Sequence, residues 1–506
     1  MPLSDDIKDL IEHDNARARC LLHGIVGEAP HSVEARFLLA QAYLRHMEVE
    51  RALPLYLGVT ERDPKLAEAR HAAAFCRLVT GDYPGALAAY REAFQKLGTV
   101  YALGMSALVL HRLGRLDEAI AAYDKFLKIA PPASQTVPAA LQGIVAALRD
   151  AGKADAAERY AQQLLERFHR NPVALALPLV DRNSALDFHE WWRWEDKAHL
   201  ALATRRFAAR NAVNTRFPES FVLPADRAAL TGFALANPGV LLIAKPKNGT
   251  GGQGIIVTAE LGRIIGREDV VVQRYLSRPF LVDGRKAHLR IYGLIAQAAP
   301  LRAYIYGEGI VRFAPEPYDP RPEALANNAM HVTNTALHRG NPALVVSQDA
   351  AREDDGHVWS LSAYLKRLSA ESCDGGLVFK KIERLVAWFV RLVASEGLFE
   401  HQAKAAPPRA FAPKLFGLDV LIGAEGEPWL IEMQVKPAAA GSPLVARING
   451  ELFATVLRMS TGVLIPETTP SSERAKLLAD PREVARRERA IEEAERGLFR
   501  PLDLSA

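Results

Sequence analysis

Cysteine is scarce in this chain. Three residues, Cys20, Cys76 and Cys373, are scattered through 506 positions with no CxxC spacing. That distribution excludes a disulfide framework and a cysteine-based zinc site, and it fits inert thiols in a reducing compartment. An excess of charge of one sign is also lacking. There are 63 Lys and Arg against 59 Asp and Glu, a formal charge of +4. Affinity for a phosphate backbone needs clustered cations, so nucleic acid is not an expected partner. No uninterrupted apolar run reaches the ~20 residues that a membrane helix requires. The charged start MPLSDDIKDLIEHDNARARC does not read as a secretory leader. The expectation is a cytoplasmic protein with no membrane partner. Apolar residues are plentiful: 49% are hydrophobic and 24% charged. That balance supports a sizeable core, and the length predicts two or three domains.

Periodicity in the first third is strong. RALPLY, GALAAY, EAIAAY and DAAERY end on Tyr56, Tyr90, Tyr123 and Tyr160, at steps of 34, 33 and 37 residues. Each segment follows a helical stretch and a turn. Gly81, Gly114 and Gly152 sit in these turns, where a left-handed residue closes a helix at little cost. Pro64, Pro131 and Pro172 fall near the ends of the units, where a missing N–H does least harm. Ala52, Ala86, Ala119 and Ala156 recur where paired helices must approach closely. The pattern resembles tetratricopeptide repeats over roughly residues 15–172. Such arrays stack into a superhelix with a concave face, so a protein or peptide partner is expected there. A purely supporting or self-associating role is the alternative.

Residues 173–215 break the repeat. ALALPLV reads as a strand and FHEWWRWEDKAHLALATRRFAARNAV as helical, with Trp191, Trp192 and Trp194 expected to pack a domain interface. From Phe217 onward, short apolar runs such as GVLLIAKP, GIIVTA, DVVVQRYL, LFGLDVLI and PWLIEMQV read as strands. Helical stretches between them make this half α+β. The tail, 466–506, begins as a polar linker and continues as a charged helix from about Pro481 to Gly497.

Four stretches carry chemistry. In LLIAKPKNGTGGQGIIV a strand delivers Lys245, and a loop with Gly249, Gly251, Gly252 and Gly254 follows. Glycines let backbone N–H groups approach phosphate oxygens, and lysine adds compact positive charge. The loop leads to a strand, which disfavours a P-loop or a dinucleotide fingerprint. VVVQRYL ends in Gln273 and Tyr275, a strand end able to face an adenine edge. GRKAHLRIYGLIA places Lys286, His288 and Arg290 at alternate positions, hence on one face of a strand that lines an anionic pocket. LFGLDVLIGAEGEPWLIEMQVKP reads as a hairpin carrying Asp419, Glu432 and Gln434. Two carboxylates and an amide oxygen in apolar strands are costly unless paired or metal-bound, and oxygen donors suit Mg²⁺ with ATP phosphates.

Taken together, RFPESFVLP, AKPKNGTGGQGI, VVQRYLSRPFLVDGRKAHLR, YGEGIVRFAPEPY, HVTN and FGLDVLIGAEGEPWLIEMQVKP resemble the tubulin-tyrosine-ligase-like family, in the family's order, over about residues 190–462. The resemblance implies an ATP-grasp fold over 216–465, following a repeat array over 1–172. It implies ATP contacts from Lys197, Lys245, Gly251 and Gly254, and an adenine hinge of Gln273, Arg274, Tyr275 and Leu276. Lys286 would reach the nucleotide, Arg290 would stabilise developing phosphate charge, and Thr333 and Asn334 would border the nucleotide site. Asp419, Glu432 and Gln434 would hold Mg²⁺.

The implied activity is an ATP- and Mg²⁺-dependent ligase that forms an amide or isopeptide bond through an acylphosphate, with a free amino acid as donor. A nucleotide-binding scaffold without turnover is the alternative. His288, Gly307, Gln434 and Gly252 depart from the family's usual aspartate, arginine, asparagine and basic residue. Gln434 keeps its amide oxygen, and the missing arginine is expected near the substrate side.

Overall fold

The computed structural model describes, apart from isolated positions, residues 15–164, 189–211, 216–247, 252–298, 300–371, 373–399, 414–434, 442–461 and 481–505. The chain forms two units. The first joins Met1–His189 to Gln402–Ala412 and Ala454–Arg496; the second joins Glu190–His401 to Pro413–Phe453 and Gly497–Ala506. Gly251, Pro172, the ALALPLV stretch and the linker before Pro481 lie outside the described residues.

The first unit opens with a run of antiparallel helices: α1 (Asn15–Glu28), α2 (Val33–Arg45), α3 (Val49–Arg62), α4 (Ala67–Val79), α5 (Tyr83–Leu97), α6 (Val100–Arg112), α7 (Leu116–Ile129) and α8 (Val137–Asp150). Each packs on its sequence neighbour. The turn glycines Gly81, Gly114 and Gly152 have φ of +84°, +70° and +72°, as the repeat pattern predicts. Ala52, Ala86 and Ala119 are fully buried, with Tyr56, Tyr90 and Tyr123 beside them in the core. Small residue and aromatic anchor thus recur once per helix pair. Ala156 is only half-buried.

The second unit is α+β with antiparallel sheets. After a 3₁₀ turn at His189–Trp194 come α9 (Lys197–Asn211), β1 (Ser220–Val222), α10 (Arg227–Ala236), β2 (Leu242–Pro246), β3 (Ile256–Thr258) and β4 (Val270–Arg274). These strands form a four-stranded sheet in the order β1-β4-β2-β3. A larger sheet follows from β5 (Leu281–Val282), β6 (Arg285–Ala298), β7 (Leu301–Phe313), β8 (Val358–Ser360), β9 (Lys414–Ile422), β10 (Pro428–Gln434) and β11 (Phe499–Pro501). Its path is β10-β9-β6-β7-β11, with β5 on β6 and β8 on β7. Between its strands lie α11 (Asn328–His331), α12 (Leu361–Ala370), α13 (Gly375–Ser395) and α14 (Pro443–Thr461). The charged helix expected in the tail is α15 (Pro481–Glu495), which belongs to the first unit.

β6 is central, paired by β7 on one side and β9 on the other, and most of its residues are buried. α13 packs on β7 and β10 and buries Ile382, Val386, Phe389 and Val393. Trp191 and Trp194 were expected at an interface between domains. They lie instead in the interior of the second unit, Trp191 edge-on to Phe389 and Phe416 and Trp194 edge-on to Phe389 and His199. The short β11 seals the edge of β7: Phe499 opposes Tyr306, and the Gly307 N–H donates to the Leu498 carbonyl at 2.9 Å. Among the described residues no helix is long and apolar enough to cross a membrane.

Candidate active site

Two buried lysines define one side of the site. Lys245 sits in β2 with 5% exposure, and its Nζ donates to the Gln273 Oε1 at 2.7 Å. Gln273 is fixed in turn by donating its amide to the Ser220 hydroxyl at 2.9 Å. Lys286, in β6, donates to the Tyr275 hydroxyl and to the His331 carbonyl, each at 3.0 Å, and lies 4.4 Å from the centre of the Tyr275 ring. All of these partners are neutral. Burial pushes Lys245 down to about 8, with Glu432 opposing the shift and Lys197 adding to it. Burial and then the Lys245 charge push Lys286 down to about 7. Two desolvated cations that, among the described residues, have no carboxylate partner in hydrogen-bond reach form a site that favours an anion.

The hinge segment connects these lysines. Tyr275 N–H donates to the Leu241 carbonyl and Arg274 N–H to the Glu219 carbonyl, at 2.8 and 2.9 Å. Among the described residues the Leu276 N–H has no backbone partner, so it is the hinge group left to donate outward. Val257, Tyr275 and Leu325 form a small apolar cluster alongside, with Leu241, Ile243 and Tyr318 packed on it. The Arg274 side chain is exposed and pairs with Glu219 at 3.6 Å, so its side chain points away from this cluster.

The oxygen-rich side follows from strand register. Arg290 of β6 stands opposite Asp419 of β9, and Asp419 stands opposite Glu432 of β10. Arg290 Nε and Nη2 donate to both Asp419 oxygens at 2.5 and 3.1 Å. Burial works against the Arg290 charge, but the Asp419 carboxylate overrides it and holds the guanidinium above its usual range. The Gln434 amide nitrogen donates to the Glu432 Oε1 at 2.8 Å, and Lys197 Nζ stands 3.8 Å from Glu432 Oε2. A Cβ added at Gly417 would lie 2.9 Å from Arg290 Cδ, so the absent side chain there is what lets Arg290 cross the strand to Asp419. Among the described residues no three His, Cys, Asp or Glu side chains gather as a metal-binding group. The set consists of two carboxylates and an amide oxygen, an oxygen-only donor chemistry that suits a hard cation such as Mg²⁺.

The turn after α11 joins the two sides. Thr333 is buried and its hydroxyl lies 2.5 Å from His288 Nδ1. Gly252, at φ +85°, rests against Val332, Leu337 and Asn334, and an added Cβ would meet Val332 at 3.0 Å. Gly254 has φ +71° and faces Pro246.

One residue that the sequence did not single out joins the group. Arg312 of β7 stands opposite His288, and burial and then the Arg290 charge lower its pKa. Its side chain makes no hydrogen bond or ion pair among the described residues. A single arginine in the apolar run GIVRF gives no spacing signal; only the β6–β7 register shows that it shares a face with His288 and Arg290.

Position 307 faces β11. A Cβ there would stand 3.0 Å from the Leu498 carbonyl. Arg500 of β11 fills the neighbouring space, its guanidinium 4.7 Å from the centre of the Phe379 ring and 3.6 Å from Glu383. An arginine at 307 would have to displace β11.

Comparison with known proteins gives two family matches. The tubulin-tyrosine ligase family model matches residues 182–471. A tetratricopeptide repeat model matches residues 12–67 and 77–134. A tubulin monoglutamylase of Mus musculus is 31% identical over 250 residues, 49% of this chain and 21% of its own length. A tubulin polyglutamylase of Caenorhabditis elegans is 31% identical over 250 residues, 49% of this chain and 34% of its own length. A probable beta-tubulin polyglutamylase of Tetrahymena thermophila is 29% identical over 277 residues, 51% of this chain and 23% of its own length. The match thus spans between a fifth and about a third of each of these relatives.

Proposed function

This chain belongs to the tubulin-tyrosine ligase family, and from that premise we propose that it is an ATP- and Mg²⁺-dependent carbon–nitrogen ligase, joining an amino acid or peptide amine to a carboxylate as an amide or isopeptide. The observation that carries this reading is the pair Lys245 and Lys286, buried on neutral partners near an oxygen-only donor set. The Leu276 N–H meets the adenine edge, while Lys245 and Lys286 bind phosphate oxygens and regain full charge as they do so. Asp419, Glu432 and Gln434 are the side chains that would hold Mg²⁺, which when bound neutralises phosphate charge.

Arg290 stabilises charge on the phosphoryl group in transfer, and Arg312 orients the carboxylate. That carboxylate oxygen bonds to the γ-phosphorus as ADP leaves. The amine nitrogen then bonds to the acyl carbon, phosphate departs with the bonding pair, and the amine proton passes to solvent. Positioning and electrostatics supply most of the acceleration.

The repeat array over 1–172 is assigned the recruitment of a protein or peptide acceptor, and 216–465 the chemistry. The relatives are named as glutamylases of tubulin, so glutamate is the first donor to test. The free Cys20, Cys76 and Cys373 fit a cytoplasmic setting.

The test is mass spectrometry of lysate proteins incubated with the protein, MgATP and pooled amino acids. A mass increment that disappears in Lys245→Ala and Glu432→Ala supports the reading. Unchanged turnover in either variant would sink the site assignment. A second reading, nucleotide binding without turnover, draws on the internal satisfaction of the donor set: Asp419 is bonded to Arg290 and Glu432 to Gln434. MgATP binding without ADP release across a broad substrate panel would favour it.

A further inference from the structure

The turn spanning 331–338 (position 336 lies outside the described residues) is held by imidazoles at three points. His331 donates from Nε2 to the Ala324 carbonyl at 3.1 Å, which leaves Nδ1 to accept from the Tyr275 hydroxyl at 3.0 Å. His338 donates from Nε2 to the Val332 carbonyl at 2.6 Å. His288 reaches in from β6 and bonds the Thr333 hydroxyl at 2.5 Å. The turn in turn touches the nucleotide-side groups: its His331 carbonyl takes a hydrogen bond from Lys286, and its Val332, Asn334 and Leu337 seat Gly252. A side chain at Gly252 would meet Val332 at 3.0 Å, so the turn can pack this closely on position 252 only because a glycine stands there.

His288 is the tie that comes from the strand bearing Arg290. Its Nδ1 is committed to Thr333, the cations Arg312, Arg290 and Lys286 act on it, and Glu432 opposes them. Burial and these cations hold its pKa well below the ordinary imidazole value, so the ring is neutral and unsuited to taking up a proton.

We propose that His288 is a positioning residue: through Thr333 it fixes the 331–338 turn on which Gly252 rests, and thereby sets nucleotide affinity while leaving the transfer step itself to other groups. This rests on the nucleotide-site reading above.

The test is calorimetric titration of the full chain with MgATP, alongside thermal melts and turnover at saturating ATP. His288→Ala and Thr333→Val should each weaken MgATP binding about tenfold, the effect of one buried hydrogen bond lost. The loss of affinity should exceed any loss of turnover at saturation, a KM effect larger than the kcat effect. His288→Asn, which keeps a polar atom near the Nδ1 position, should recover most of the affinity. The double variant should bind no more weakly than either single one, because both remove the same bond.

Unchanged affinity in both single variants, fully additive losses, or a fall in turnover with affinity intact would each overturn the assignment. If His288→Ala does not fold, Thr333→Val carries the same measurement from the other side of the bond. A parent protein that binds no MgATP would sink the ligase reading itself; a parent that binds while the variants do not differ from it sinks only the role of His288.

Discussion

Arg290 and Asp419 are direct cross-strand neighbours, and the guanidinium bonds both carboxylate oxygens, at 2.5 and 3.1 Å, with each side chain about nine-tenths buried. Breaking one side of such a pair strands a buried charge. Asp419→Asn should therefore cost about 3–5 kcal/mol of stability, read as a drop in the urea midpoint. Replacing both partners by apolar residues, Arg290→Met with Asp419→Leu, should restore most of that stability while abolishing turnover. A single Asp419→Asn variant as stable as the parent would show that Arg290 finds another partner.

The lysines make the protein sensitive to pH. Folded Lys245 titrates at about 8 and folded Lys286 at about 7, against an ordinary lysine at 10.5. Between about pH 7 and 10.5 the unfolded chain binds more protons than the folded one. Stability of the nucleotide-free protein attributable to these groups therefore rises with pH across that window. Phosphate oxygens reverse the preference by favouring the charged lysines, so MgATP binding should take up protons near pH 8.5 (a pH chosen just above the two values) and weaken as pH rises further. Calorimetry in two buffers of different ionisation heat measures the uptake. Its absence would separate the lysines from the phosphates.

Gly417 should be intolerant of a side chain for a reason confined to the site. A Cβ there stands 2.9 Å from Arg290 Cδ. Gly417→Val should cost about 1–3 kcal/mol by overpacking. It should also lower turnover more than tenfold and weaken MgATP binding, since the added side chain presses on Arg290 and on Gln434 opposite it. Full activity in that variant would mean that Arg290 acts from a different position.

Arg312 should act on the carboxylate substrate. A charge-assisted hydrogen bond lost from a buried arginine corresponds to about 1.5–3 kcal/mol. Arg312→Gln should then raise KM for that substrate by roughly 10- to 100-fold, with MgATP affinity changed less than about twofold. Steady-state kinetics with each substrate varied in turn decides it. A shift in ATP affinity alone would move Arg312 to the nucleotide.

What was legible in the sequence was whatever conflicted with its local surroundings. Lys245, Asp419 and Glu432 are polar groups inside apolar strands, and the alternation of Lys286, His288 and Arg290 marked a shared face that the register of β6 against β7 and β9 bears out. The repeat was legible because its period and its left-handed glycines are local properties. What escaped depends on chain segments far apart. Arg312 has meaning only opposite His288, the bond between His288 and Thr333 joins positions 45 residues apart, and Trp191 has meaning only beside Phe389 and Phe416. Arg274 was legible as part of a hinge, yet its side chain turns out to solvent because the strand's alternation sends it to the other face.

The pairing of Phe499 with Tyr306 sets a clock on the biosynthesis of the protein. β7 leaves the ribosome long before β11 is made. At about 5–20 residues per second the interval is on the order of 10–40 s. Throughout that time the β7 edge carries unpaired N–H and C=O groups, an open template for a neighbouring nascent chain. Slower growth temperatures and chaperone supply should therefore govern the yield of native protein more than its final stability does.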